Sequence, residues 1–134
     1  MDAKTRLAFD AALAEFVSVQ ELALDMPGAN LNLAVVYENV GRADLAERHY
    51  LAALRIDPNF TPARANLAQF YNASGRNADA EGVLREGLRR MPEIGELQYS
   101  LGLLLAEEKR LPEAAQALSA AARLMPGRSK VRYS

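Results

Sequence analysis

Cysteine is absent from this 134-residue chain. That excludes disulfides, zinc–thiolate sites, covalent haem attachment and a cysteine nucleophile, and it fits a reducing or an oxidising compartment equally. Histidine occurs once, as His49, too few for a histidine zinc site. No run of about eighteen apolar residues is present, so no membrane insertion is expected. The opening residues Met1, Asp2, Ala3 and Lys4 lack the apolar block of a signal peptide. Excess charge is missing too: 16 basic residues against 17 acidic ones leave a net charge of −1. Nucleic-acid-binding domains are markedly basic, so nucleic acid is not an expected partner. Glycine-rich phosphate loops are likewise missing, Gly41 and Gly75 reading as helix stops. What remains is half apolar and a quarter charged, the balance of a soluble globular chain and too apolar for disorder.

The dominant positive feature is a period. Pro58, Pro92 and Pro126 are each 34 residues apart. Shifting the chain by 34 also aligns Asn32, Leu33, Ala34, Tyr37, Gly41, Arg42, Ala46 and Leu54 with Asn66, Leu67, Ala68, Tyr71, Gly75, Arg76, Ala80 and Leu88. A further shift keeps Leu101, Arg110, Ala114 and Leu118 in step. One fixed period over three units marks a stacked-repeat protein. Each unit reads as two helices. In the first unit, Leu33, Val36 (or Tyr37) and Val40 recur at helical spacing before Gly41. The second helix carries Ala46, Tyr50, Ala53 and Leu54 on one stripe and stops at Asp57-Pro58. Thr61-Pro62 signals the next start, a hydroxyl cap followed by proline at the first helical position. Small residues (Ala34, Ala68 and Gly102, then Ala46, Ala80 and Ala114) allow paired helices to approach, while Tyr37, Tyr50, Tyr71 and Leu84 would fill the space between neighbouring units.

These residues resemble the tetratricopeptide repeat. Its pattern is similar to Leu33-Ala34, Tyr37, Ala46, Tyr50, Ala53 and Pro58, then to Leu67-Ala68, Tyr71, Ala80, Leu84, Gly87 and Pro92. The third match is Leu101-Gly102, Leu105, Ala114, Leu118, Ala121 and Pro126. The early aromatic of the pattern is replaced by Asn30, Arg64 and Gln98. The resemblance implies an all-α fold, a right-handed superhelical α-solenoid of helix-turn-helix repeats in one domain. Residues 1–26 form an N-terminal helix or worn repeat. Repeats follow at 27–60, 61–94 and 95–128, and 129–134 begin a truncated further helix. Counting back 34 from Ala46 and Tyr50 lands on Ala12 and Phe16, so residues 3–24, with Phe9, Leu13, Val19 and Ala23, read as the second helix of that worn repeat.

The resemblance also implies a concave groove on the first helices that binds a protein or peptide without catalysis. Its candidate residues are Asn32, Val35 and Asn39 in the first repeat, Asn66, Gln69 and Asn72 in the second, and Tyr99, Ser100 and Leu103 in the third. Asn32 and Asn66 are similar to rungs of the asparagine ladder of the glycosyltransferase that modifies serine and threonine with N-acetylglucosamine; Ser100 stands at the third rung. The family's clamp for acidic chaperone tails does not fit: its positions hold Leu31, Val35, Asn66, Glu96 and Ser100. No catalytic residue, metal or cofactor is expected. His49 reads as an exposed residue on the convex side, and the pair Glu107-Glu108 as a solvated face. The alternative is a structural or regulatory segment of a larger protein, similar to repeats attached to bacterial proteins. It would self-associate through an open C-terminal end rich in Ala114, Ala117, Leu118, Ala121 and Ala122. The basic tail Arg123, Arg128, Lys130 and Arg132 fits an acidic partner or a truncated helix equally.

Overall fold

The computed structural model describes residues 2–125, and Pro126 and the basic tail beyond it lie outside them. Among the described residues the structure is all-α, a helical repeat fold of seven helices: α1 (Ala3–Glu21), α2 (Pro27–Asn39), α3 (Ala43–Ile56), α4 (Thr61–Ala73), α5 (Asn77–Arg90), α6 (Gly95–Glu107) and α7 (Leu111–Leu124). None is long and apolar enough to cross a membrane. The chain divides into two compact units at Asp57–Pro58.

Local chemistry explains where the helices stop. After α2 and α4 the backbone turns into the left-handed region at Gly41 (φ 83°) and Gly75 (φ 78°), which glycine enters without a Cβ clash. The corresponding residue after α6 is Lys109, at φ 65°. The second helix of each pair ends before a proline. Asp57, Met91 and Met125 share φ between −129° and −136° and positive ψ, out of the helical region that steric conflict with the proline ring disfavours. One start signal works differently from the expectation. Thr61 does not cap α4: it is the first helical residue, preceded by Phe60, and no side chain caps that end.

In the first unit α2 and α3 bury Leu33, Ala34, Ala46, Tyr50 and Ala53. Among the helices α1 touches only α2, and it buries no residue of its own. It stops at Glu21, and a turn over Leu22–Asp25 follows, so Val19 is exposed and Ala23 lies beyond the helix.

In the second unit α5 packs on both α4 and α6, α7 packs on α6, and α4 also meets α6. The core is Leu67, Leu84, Leu97, Leu101, Leu104 and Leu105 with Ala63, Ala68, Ala80 and Ala114. Each large side chain buried here contributes about 1.5–3 kcal/mol. Close approach bears on three glycines here, Gly87, Gly95 and Gly102. A Cβ at Gly87 would meet the Arg64 side chain, and one at Gly102 would lie 2.6 Å from Leu118 Cδ2 and 3.2 Å from the Leu118 backbone nitrogen. Leu118, half-buried, is therefore a packing residue between α6 and α7. On α7 the exposed residues include Ala115, Gln116, Ser119 and Ala122, and Leu111 is the one large apolar side chain exposed there. A charge network ties α5 to the start of α7. Arg110 donates to Glu81 at 2.6 and 3.2 Å and to Glu113 at 2.9 Å, while Arg85 bridges the same two carboxylates. The Arg110 and Arg85 guanidinium groups hold the Glu81 carboxyl below its ordinary pKa.

Two stability predictions follow from this packing. Gly102→Val overfills the α6–α7 contact and lowers unfolding free energy by about 1–3 kcal/mol in urea titration. Lys109→Gly relieves the left-handed residue and raises it by about 0.5–1 kcal/mol in the same assay.

Candidate functional site

The nine expected groove residues distribute over both units. Asn32, Val35 and Asn39 lie on α2. Asn32 is exposed and donates to Gln20 Oε1 on α1 at 3.3 Å; Val35 is half-buried; Asn39 is exposed beside Phe9, Leu13 and Arg42 in a shallow depression between α1 and α2. The other six lie on α4 and α6. Five of them, Gln69, Asn72, Tyr99, Ser100 and Leu103, surround one cavity of about 340 Å³. Asn66, half-buried on α4, does not line it and has no hydrogen-bond partner among the described residues.

The cavity has an apolar floor and a polar rim. Buried Ala68, Ala80, Leu84 and Leu104 make the floor. Ala65, Gln69, Asn72, Tyr99, Ser100, Leu103 and Glu107 rise around it, half-buried or exposed. Helical spacing produces this arrangement. Tyr99, Leu103 and Glu107 recur every four residues and share one stripe of α6, while Leu97, Leu101 and Leu105 take another into the core. On α4, Ala65, Ala68, Gln69 and Asn72 form the facing stripe. Small side chains at 65 and 68 leave the space open. The Asn72 amide donates to Glu107 Oε2 across the two helices at 3.3 Å. Glu107 is thus part of the cavity wall, not simply a solvated acid. The rim offers amide donors and acceptors beside hydroxyls and an apolar floor, the equipment for holding a peptide backbone and a side chain.

The three residues replacing the early aromatic are polar anchors. Asn30, only 2% exposed, donates to the carbonyls of Leu24 (2.9 Å) and Met26 (3.2 Å). Arg64, 6% exposed, donates to the carbonyls of Pro58 (2.7 Å) and Val83 (3.0 Å). Gln98 reaches the Pro92 carbonyl at 3.5 Å. Each one therefore reaches back to the carbonyl six residues earlier.

His49 is half-buried, correcting its expected exposure, because Asn30 and Tyr37 cover it. Its Nδ1 lies 3.0 Å from Asn30 Oδ1, and its ring stacks on Tyr37 with centroids 5.7 Å apart. Since the Asn30 nitrogen donates to both carbonyls, its oxygen accepts from the imidazole. Burial, reinforced by the Arg48 charge and opposed by Glu21, lowers the His49 pKa. Nearby, Tyr50 donates to Glu38 Oε1 at 2.6 Å; burial and that carboxylate push its pKa up. Among the described residues no group of three or more metal-binding side chains is placed to hold an ion.

Two family models, both described as tetratricopeptide repeat, match residues 41–104 and 6–59, together running from 6 to 104. No curated protein matches in sequence. In fold the chain is similar to the crystal structure of MamA protein, with TM-score 0.72, 16% identity and coverage of 90% of this chain and 66% of that one. It is similar also to Pseudomonas aeruginosa pilF, with TM-score 0.72, 24% identity and coverage of 90% and 55%. The structure named MamA MSR-1 C2 matches with TM-score 0.66, 20% identity and coverage of 91% and 72%. The chain thus spans less than two thirds of the first two proteins, and at these identities the likeness is one of fold.

The His49 environment predicts a pH response. Its folded pKa lies below the ordinary 6.5, so the contribution is complete above pH 6.5 and is lost as pH falls through the lowered folded value. In urea titrations from pH 7.5 to 5, wild type should lose more stability than His49→Gln; parallel curves would show that the histidine contributes nothing.

Proposed function

The chain belongs to the tetratricopeptide repeat family, and on that premise we propose that it is a non-catalytic docking module holding an extended segment of a partner protein against its first helices. Repeats of this family generally mediate protein–protein interaction, and they are typically scaffolds rather than enzymes. The observation that carries the finer reading is the cavity between α4 and α6, where an apolar floor is ringed by Gln69, Asn72, Tyr99 and Ser100. A partner's side chain enters the floor while its backbone pairs with the rim amides. Asn66 extends the same polar face of α4, with an amide committed to no other residue described. Asn32, Val35 and Asn39 on α2 offer the first unit a contact surface of similar chemistry.

Random dodecapeptides displayed on phage and selected on the whole chain test this reading. Enriched peptides should lose about tenfold or more in affinity on Gln69→Trp, which plugs the cavity from an exposed position, and less on Asn66→Ala. Circular dichroism melting of both variants should match wild type. Equal binding to Gln69→Trp and wild type would remove the cleft from consideration.

A further inference from the structure

The cleft between α4 and α6 carries charge of one sign. Apart from tyrosines, its two walls hold three ionisable side chains, Arg64, Glu96 and Glu107. Arg64 is buried, and its guanidinium is committed to the Pro58 and Val83 carbonyls, away from the cavity. Glu96 and Glu107 are both exposed, and Glu107 alone among charged residues lines the cavity. The two lining residues from α5, Ala80 and Leu84, are apolar. Glu107 has the Asn72 amide as its neighbour and no ion pair among the described residues. The cations on the following turn are not paired with it: among the described residues Lys109 forms no ion pair, and Arg110 is held by Glu81 and Glu113.

A carboxylate oriented by an amide, at the edge of an apolar floor, selects for a cation beside an apolar group. We propose that the partner segment presents an aliphatic side chain close to a lysine or arginine. The aliphatic group rests on Ala68, Ala80 and Leu104, and the cation pairs with Glu107. A cavity of about 340 Å³ is near the small end of ligand sites, suited to side chains of an extended segment rather than a packed element. This inference rests on the cleft being the docking site, and the test separates the two claims.

Displayed random dodecapeptides are selected in parallel on the whole chain and on Glu107→Gln, Glu107→Lys, Glu96→Gln and Gln69→Trp, each checked for an unchanged melting curve. Wild type and Glu96→Gln should both enrich lysine or arginine next to leucine, isoleucine or valine. Glu107→Gln should keep the aliphatic preference and lose the basic one, and Glu107→Lys should replace it with acidic residues. A wild-type-selected peptide should bind Glu107→Gln about three- to fivefold more weakly at low salt, a gap that closes as salt rises. Peptides without basic bias that still fail on Gln69→Trp would overturn the cation while leaving the cleft in place. Loss of the basic bias on Glu96→Gln as much as on Glu107→Gln would overturn the assignment to Glu107. Peptides that bind Gln69→Trp as well as wild type, or no enrichment on wild type, would overturn both claims.

Discussion

Close approach of α7 to α6 is the constraint on which the second unit depends. Leu118 occupies the space where any side chain at position 102 would stand, so α6 has one side committed to α7. Helical geometry then leaves little freedom for the rest of α6. With Leu97, Leu101, Leu104 and Leu105 drawn into the core, Tyr99, Leu103 and Glu107 must face elsewhere, and they face α4. On α4 the alanines at 65 and 68 are too short to fill the gap. The cavity is thus a consequence of packing: large side chains on one side of α6, small ones across from the other. Interiors pack densely enough that such a gap persists only where facing residues are too small to close it.

The polar residues at positions 30, 64 and 98 show how the same place in a repeat is stabilised by different chemistry. An aromatic there would work by area and shape. Asn30 and Arg64 work by satisfying loop carbonyls that would otherwise be shielded from water. Arg64 does more, since its methylenes run through the space left by Gly87 and its guanidinium reaches two carbonyls on opposite sides. Burial lowers its pKa while Glu86 opposes that shift, so a charge at this depth is tolerated through its carbonyl partners and a nearby acid. Asn30 plays the equivalent part in the first unit and recruits His49 as a third partner.

Much of this fold was legible in the sequence because backbone geometry and residue type are tightly coupled at a few positions. Proline dictates the extended residue before it, glycine marks the left-handed turn, and the period repeats both. The turn at Lys109 was hidden because nothing in a lysine announces a positive φ; only its distance of 34 residues from Gly75 does. The anchoring roles of Asn30 and Arg64 were hidden for a similar reason. Read singly, a polar residue in place of an aromatic is a loss, and its partner, a carbonyl six residues back, leaves no side-chain signature. The burial of His49 depended on a stack with Tyr37 from another helix, which no spacing along α3 encodes. Of the cleft, most of the rim positions were foreseeable from their place in the repeat. The distinction between floor and rim needed the third dimension.

Comparison between the second and third repeats separates positions that hold the fold from positions that ring the cleft. Thirty-four residues apart, the core positions keep their character: Leu67 with Leu101, Ala68 with Gly102, Ala80 with Ala114, Leu84 with Leu118. The positions on the rim of the cleft or beside it do not: Ala65 with Tyr99, Asn66 with Ser100, Gln69 with Leu103, Ala73 with Glu107. Packing explains both halves. A core position must fill an equivalent space in each unit, so its size is constrained by the period. A rim position meets solvent, and nothing in the repeat prescribes its chemistry. Where the period breaks, side chains are free of the scaffold's demands, and the breaks include positions on the two helices that enclose the cavity. The chemistry of the rim, with its amides, hydroxyls and one carboxylate around a short apolar floor, is therefore a property of this chain rather than of the repeat.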